Sequence, residues 1–266
     1  MARDIIDDRL IGALHLRSLT RQGLEHDPVR EHLAVQAGTI DALLAANYVG
    51  DATIGDVLRM GDLGIGTVQR LGGELVILDG AAWLAAADGH VHPVDDDTLT
   101  PFAVACRFTP DVLHEQPSPL DYPGILATLD AMAPSAATVV GIRLDGRFRD
   151  LRLRSVREQA PPFVPLTEVV AHQTEWTVAA ATGTLVGFRF PDGTSGVEVP
   201  GYHLHFLSED RSAGGHVLSA ELTDGTFAMT VCDELHVELP AGVALGTPGA
   251  TDRATIASVE GQHALD

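Results

Sequence analysis

The chain has 266 residues, of which 45% are apolar, and its 37 acidic residues outnumber 17 basic ones to give a formal net charge of −20. The apolar content is sufficient for a globular core, whereas the negative charge disfavours a nucleic-acid partner, because phosphate binding needs a basic surface patch. The sequence has no apolar run near the ~20 residues that span a bilayer and no signal-peptide pattern, so we expect a cytoplasmic protein without a membrane partner.

The basic residues are all arginine, because the sequence contains no lysine. Imine chemistry on a lysine amine is therefore excluded, and so is a P-loop, which requires its lysine. The two cysteines, Cys106 and Cys232, are too few for a disulfide scaffold or a thiolate metal cluster, and they fit a reducing compartment. Any catalysis must therefore depend on a metal, carboxylates, histidine or arginine.

The first predicted elements are a helix and an antiparallel meander. Thr53 followed by Asp56 is a capping-box pattern, which predicts the start of a helix. Residues 64–85 contain three β-type runs separated by a Gly-Gly and an Asp-Gly pair, which are strong hairpin signals. Glu74 begins the second of these runs. Its position alone favours a solvated strand end over a functional role.

A second helix and another hairpin follow. Pro123 lies in the first turn of a segment whose apolar residues recur at helical spacing. Asp145-Gly146 then predicts a hairpin turn between two strands. On the second of these strands Arg152 and Arg154 share one face, which is either an exposed polar face or an anion clamp, because guanidinium matches the geometry of a carboxylate.

The proline-rich residues 161–165 predict a linker between two domains. We expect an N-terminal α/β domain with the meander at residues 1–165, and a mostly-β domain at residues 166–266. In the second domain, residues 176–190 predict two strands around a turn at 181–183. The expected fold class is α/β of the α+β type, with mixed or antiparallel sheets and a few helices.

The strongest functional signal is a group of three histidines in the second half of the chain. His203 and His205 are one residue apart on an apolar, strand-like segment, so their side chains point to the same face. A polar turn and two glycines separate them from His216, which a return strand would bring back beside the pair. Three imidazoles on one face predict a three-ligand metal site with an open position for water or substrate.

Several segments resemble the α-acetolactate decarboxylase family in the same order along the chain. The resemblance covers about residues 36–260, and the histidine segment is its most specific part. The matching segments are residues 61–67 (GDLGIGT), 73–75 (GEL), 101–103 (PFA), 154–156 (RSV), 200–206 (PGYHLHF) and 214–217 (GGHV). The chain departs from the family pattern at Gly73, where an aspartate is usual, at Gly38, where a serine is usual, and in its lack of lysine.

The resemblance implies a zinc-dependent enzyme that converts 2-acetolactate to acetoin and carbon dioxide. It further implies a two-domain protein, commonly a homodimer, with the metal hairpin in the second domain. The residues that match the family's site have the following implied roles: His203, His205 and His216 as zinc ligands, Glu74, Arg154 and Glu260 as polar groups around the substrate, and Thr67 as a hydroxyl lining the site.

The residues available are consistent with this chemistry. Loss of carbon dioxide from a β-keto acid leaves an enediolate, so the reaction needs a group that stabilises negative charge on the ketone oxygen. Without lysine, a zinc ion with an open position is suited to that task. A carboxyl group such as that of Glu74 or Glu260 would deliver the proton, and Arg154 would hold the departing carboxylate.

Two alternatives stay open at the level of sequence. His203 and His205 followed by Glu209 fit the spacing of cupin-type non-haem metal enzymes, although Glu209 falls in the predicted turn. The histidines could instead form a closed, non-catalytic metal site, which would have four protein ligands and no open position. His236 lies in an apolar strand and is expected to be a packed histidine rather than a ligand.

Overall fold

The computed structural model describes residues 32–239 together with the backbone of residues 15–19. The strands, in chain order, are β1 (His15–Leu19), β2 (Leu33–Ala37), β3 (Ala52–Thr53), β4 (Leu63–Thr67), β5 (Glu74–Leu78), β6 (Ala81–Ala85), β7 (Val91–Pro93), β8 (Leu99–Thr100), β9 (Phe102–Cys106), β10 (Val112–Gln116), β11 (Val139–Ser155), β12 (Thr174–Phe190), β13 (Gly201–Ser208), β14 (Gly214–Cys232) and β15 (Glu234–Glu238). The helices are α1 (Ile40–Leu44), α2 (Ile54–Met60), α3 (Tyr122–Met132) and α4 (Leu166–Val170), with 3₁₀ turns at Gln69–Leu71 and Asp192–Thr194.

The first sheet has eight strands in the order β1-β15-β2-β9-β4-β5-β6-β7. The antiparallel pairs β4–β5 and β5–β6 form the predicted meander, which is confirmed. β15 lies between β1 and β2 and runs parallel to both. This late segment of the chain therefore completes a sheet whose other described strands all precede residue 107.

The second sheet has five strands in the order β10-β14-β11-β12-β13, and a further pairing of β13 with β14 closes β11–β14 into a ring. All the pairs in this ring are antiparallel. The mixed, mostly-β architecture with a few short helices confirms the predicted fold class. The two-domain division at residue 165 stays a prediction. The sheets themselves do not divide the chain there, because β11 of the second sheet precedes this position and β15 of the first sheet follows it.

Two predicted turns in the second sheet were wrong. Asp145-Gly146 and residues 181–183 lie inside the continuous strands β11 and β12. Gly146 is in register with Gly183 on one side and Gly225 on the other, so both neighbouring strands pair with β11 through this point. A Cβ atom on Gly146 would lie 2.7 Å from the carbonyl oxygen of Asp224, so the glycine permits close approach rather than a turn.

A large apolar cluster lies between the two sheets. Ile65 and Val76 of the first sheet pack in one cluster with Val186 and Phe188 of the second, and all four are fully buried. Burial of apolar surface on both inner faces is the main stabilising contribution in such a two-layer arrangement. It also fixes how the ends of the two sheets meet, which is where the candidate site lies.

The predicted helix starts are confirmed. Thr53 and Asp56 form the capping box of α2, with the Thr53 hydroxyl accepting from the Asp56 backbone N–H at 3.1 Å and the Asp56 carboxylate accepting from the Thr53 N–H at 3.0 Å. The longer α3 has Asp121 as its N-cap and Pro123 in its first turn. Within residues 32–239, none of the helices has the length and apolar content that crossing a membrane would require.

Candidate metal centre and active site

The three histidines meet at the junction of β13 and β14. His205 is directly opposite His216 in the β13–β14 register, and His203 precedes His205 by two residues on the same face of β13. The Nε2 atoms of His203 and His205 are 3.2 Å apart, and one ring nitrogen from each of the three residues lies within 4.8 Å of the others. All three side chains are buried. β13 and β14 therefore pair as the two arms of an antiparallel hairpin, while the metal on it stays a prediction.

This donor set fits a metal ion. Two imidazole nitrogens that each bind zinc at about 2.0–2.1 Å in tetrahedral geometry are about 3.3 Å apart, which is close to the observed separation of His203 and His205. The carbonyl oxygen of Leu75 can only accept a hydrogen bond, so the Nδ1 of His205, 2.8 Å away, must donate to it. The lone pair of the His205 Nε2 is then directed into the cluster, as in a metal-bound histidine whose other nitrogen is anchored.

The electrostatics favour neutral imidazoles at His203 and His205. Burial, followed by the nearby Arg154 guanidinium, lowers the pKa of His203 to about 3. Burial, followed by the neighbouring His203, lowers the pKa of His205 well below its usual value. Neutral imidazole is the form that binds a metal. The three histidines could therefore hold a metal ion.

A buried carboxylate–guanidinium pair lies next to the histidines. Glu74, the first residue of β5, has its Oε1 3.3 Å from an Nη1 of Arg154 and its Oε2 3.4 Å from the Nε2 of His205. Arg154 lies on β11, in register with His216 of β14. The expectation of a solvated strand end at Glu74 was wrong, because the second sheet packs over this end of β5 and leaves Glu74 only 7% exposed.

The two arginines that share a face of β11 have different environments. The side chain of Arg152 is 57% exposed and pairs with Glu175 at 3.0 Å. Arg154 is 4% exposed, and its Nε finds no hydrogen-bond partner among the residues that the structure describes. A buried donor without a hydrogen-bond partner lowers stability by on the order of 1–3 kcal/mol. The site is therefore suited to an anionic ligand that would accept a hydrogen bond from the Arg154 Nε.

A cavity opens beside these groups. Its polar side is formed by Thr67, Glu74, Arg154 and His203. The Thr67 hydroxyl donates to the carbonyl oxygen of Gly73 at 2.8 Å, so its lone pairs remain to accept from a ligand. The apolar wall consists of Ile40, Leu43, Leu71, Phe102, Val156, Leu166 and Val170. The arrangement can bind a small molecule with charged groups at one end and hydrocarbon at the other.

Sequence reasoning missed most of this apolar wall. Leu166 and Val170 belong to α4, immediately after the segment predicted to be a linker. The recurrence of Leu166, Val169 and Val170 is a helical pattern that indicates a packed segment, although at five residues the helix is short.

Glycine at position 73 shapes the approach to Glu74. Gly73 has φ +147°, a conformation that side chains with a Cβ rarely adopt, and a Cβ there would lie 2.6 Å from the carbonyl oxygen of Ala85. The loop before Glu74 therefore depends on glycine in this chain.

The remaining sequence candidates lie away from the cluster or outside the described residues. Glu209 is exposed in the turn between β13 and β14 and is absent from the metal-binding group found among residues 32–239, so the cupin-like spacing does not bring it to the histidines. His236 is buried in β15 of the first sheet, with its Nε2 3.0 Å from Glu234 Oε2. Glu260 lies outside the described residues.

Comparisons with known proteins agree with the geometry. A family model described as alpha-acetolactate decarboxylase matches residues 35–245. A protein of that name from Methylococcus capsulatus is 38% identical over 237 residues, which are 88% of this chain and 90% of that protein. Another from Methanosarcina mazei is 39% identical over 206 residues, covering 77% and 72% of the two chains. The crystal structure of alpha-acetolactate decarboxylase from Bacillus subtilis strain 168 superimposes with a TM-score of 0.82 at 33% identity, covering 86% of this chain and 99% of that one.

Proposed function

The chain belongs to the alpha-acetolactate decarboxylase family of carboxy-lyases, and from this premise we propose that it releases carbon dioxide from 2-acetolactate to form acetoin with zinc held by His203, His205 and His216. The observation that carries the proposal is the joining of three buried histidines to a buried Glu74–Arg154 pair at the polar end of one cavity.

The chemistry explains why these groups are needed together. 2-Acetolactate is a β-keto acid, and breaking its bond to the carboxylate leaves an electron pair that is delocalised as an enediolate. Zinc held by His203, His205 and His216 would supply a Lewis acid for the negative charge that develops on oxygen. The residues of the chain must bind the carboxylate, hold the substrate in one orientation and deliver a proton to carbon.

Arg154 is the proposed carboxylate-binding group. Its Nε is a buried donor with capacity for a ligand, while one Nη1 is held by Glu74. Guanidinium can present two parallel N–H donors to a carboxylate, which fixes the orientation of the substrate as well as its position. The Thr67 hydroxyl, at the same side of the cavity, can accept a hydrogen bond from a substrate hydroxyl.

Glu74 and Glu260 are the proposed proton-handling carboxyls. Glu74 is held rigidly at the end of β5, between Arg154 and His205. It is therefore the fixed positioning or proton-delivering group. We propose that Glu260 reaches the cavity when the tail folds over it. Truncation after Val259 should then leave the metal bound and reduce turnover; an unchanged turnover would remove Glu260 from the proposal.

The test combines metal analysis with acetoin formation. The purified protein should contain one zinc per chain and form acetoin from racemic 2-acetolactate. A variant with alanine at all three histidines should lose both. Full zinc occupancy in that variant would refute the ligand assignment, and iron with redox activity would favour a cupin-like enzyme.

The family resemblance also supports a homodimer, and the cysteine content supports the cytoplasmic location that we propose. Both cysteines are buried and free, as expected in a reducing compartment. Light scattering should give twice the mass of one chain; a single-chain mass at micromolar concentration would refute the dimer.

A further inference from the structure

The segment after β11 is held against the cavity by hydrogen bonds and packing. This segment, which we call the cover segment, comprises residues 157–173 and includes α4. The backbone N–H of Gln159 donates to the Arg70 carbonyl oxygen at 2.7 Å, and the Tyr48 hydroxyl donates to the Val164 carbonyl oxygen at 2.7 Å. The cover segment is thereby fixed to two parts of the first half of the chain.

The apolar side chains of the helix within the cover segment differ in whether they line the cavity. Leu166 and Val170 are four residues apart, so they share one face of α4, and both line the cavity. Val169 is 6% exposed and packs in the apolar cluster that also contains Leu166, but it is not among the residues that line the cavity. Adjacent valines on one helix thus differ in whether a ligand can reach them.

The chemistry of the cavity indicates which part of the substrate contacts this apolar wall. Glu74, Arg154 and His203 gather the groups that interact with charge and oxygen at one end. Once these bind the carboxylate, hydroxyl and ketone of a 2-hydroxy-3-oxo acid, only its alkyl substituents remain for the apolar end. The binding free energy becomes more favourable in proportion to the apolar area of these substituents that leaves water.

We propose that Val170, supported by Leu166, is a specificity-determining residue that contacts an alkyl substituent of the substrate and limits its size. This inference rests on the proposed function, and it extends that function to the residues that choose among 2-hydroxy-3-oxo acids. A short helix that directly follows the predicted linker thereby takes part in substrate selection.

The size of the effect follows from the volume removed. Val170→Ala takes away two methyl groups beside the cavity, which makes room for one further methylene on the substrate. Burying one methylene is worth about a fourfold change in kcat/KM. The ratio of kcat/KM for the C2-ethyl homologue to that for 2-acetolactate should therefore rise about 3- to 10-fold.

The experiment compares wild type, Val170→Ala and the matched control Val169→Ala on both substrates, with carbon dioxide release and thermal melting measured for each. Val169→Ala removes the same atoms from the same helix, but from a side chain that does not line the cavity. We expect the substrate ratio to change only in Val170→Ala. An equal change in both variants, or no change in either, would overturn the inference.

A binding measurement separates this inference from the proposed function. The reduced acid 2,3-dihydroxy-2-methylbutanoate and its 2-ethyl homologue lack the ketone and cannot react in this way. Each acid that binds should raise the melting temperature of the protein. We expect the rise produced by the ethyl acid, relative to that produced by the methyl acid, to increase in Val170→Ala alone. Wild type that releases no carbon dioxide would refute the proposed function, whereas the preference among these acids would still decide the role of Val170.

Discussion

Glu74 and Arg154 couple the two sheets at the level of single residues. Each side chain is nearly withdrawn from solvent, and each comes from a different sheet. Removing one member of a buried ion pair leaves an uncompensated charge, which is more damaging than loss of an exposed pair. Substitutions here must therefore preserve shape while changing one chemical property.

Glu74→Gln keeps the shape of the side chain but removes the charge and the ability to deliver a proton as an acid. We expect turnover of 2-acetolactate to fall about 100-fold or more, the scale of general acid catalysis. Zinc content should stay near one per chain. Glu175→Gln provides the control, because Glu175 is a solvent-accessible partner of Arg152. Equal turnover in the two variants would exclude a role for Glu74 in proton transfer.

Arg154→Lys and Arg152→Lys form a second matched pair on one strand. Lysine keeps the positive charge but cannot reproduce the fork of donors that guanidinium presents. At position 154 we expect kcat/KM to fall at least about 100-fold, corresponding to a charged interaction lost in the bound state. At position 152 the change should be less than about twofold, since exposed pairs contribute little. Steady-state kinetics of both variants provide the test. A decrease in kcat/KM for Arg154→Lys as small as that for Arg152→Lys would show that the Arg154 guanidinium is dispensable.

Stability of the metal-free protein should depend on pH through His203. The folded protein holds the pKa of this imidazole at about 3, below the usual value of 6.5, because of burial and then Arg154. Between these values the unfolded chain binds more protons, so the free energy of unfolding rises with pH. Stability is therefore present above pH 6.5 and is lost as the pH falls towards 3. Urea titrations should show a weaker pH dependence in His203→Gln; an unchanged dependence would contradict the assignment.

Individual residues differ in how far sequence could predict them. Strand periodicity placed His203 and His205 on one face, and the short turn brought His216 to them. The place of Glu74 at a strand end favoured exposure and its apolar strand favoured partial burial; the extent of its burial depends on the second sheet packing over β5. The same packing separates Arg154 from Arg152, which strand alternation alone treats alike. The roles assigned to these side chains stay predictions until the kinetic tests are done.

At the scale of elements, short sequence patterns predicted a helix start or a turn correctly only where contacts between neighbouring residues determine it. The capping box of α2 is satisfied within four residues of chain, so its sequence pattern was sufficient. The Asp145-Gly146 pair failed as a turn signal because two long neighbouring strands pair through it. The contacts of the cover segment with Tyr48 and Arg70 could not be predicted, because these residues are far away in sequence; only its residues 161–165 had a recognisable pattern, that of a linker.

The cap of α2 supplies a prediction at this scale. Thr53→Ala removes the hydroxyl that accepts from the Asp56 N–H and should cost about 1 kcal/mol of stability. For a chain of this size that corresponds to a fall in melting temperature of about 2–4 °C. Thr53→Ser keeps the hydroxyl and should melt within about 1 °C of wild type. Calorimetry that finds both variants equally destabilised would place the effect in packing rather than capping.

For the molecule as a whole, the core between the sheets should protect both thiols. Cys106 of β9 and Cys232 of β14 belong to the same buried cluster. A hydrogen bond with Cys232, followed by burial, raises the pKa of Cys106 well above its usual value, so little reactive thiolate is present.

Ellman's reagent should therefore label neither cysteine in the native protein within minutes. Labelling of both should follow the unfolding transition in denaturant, because access requires opening of the core. Rapid reaction of one thiol under native conditions would show that the sheets separate locally.

The placement of β15 between β1 and β2 has a consequence for synthesis on the ribosome. Until Glu234–Glu238 emerges, β2 has no partner on that side, and the nascent first sheet presents an open edge. About 200 further residues must be translated after β2, which takes on the order of 10–40 s at ordinary elongation rates. Open edges recruit other chains. The period in which newly made protein can aggregate is thus set by translation speed, not by the stability of the finished sheet.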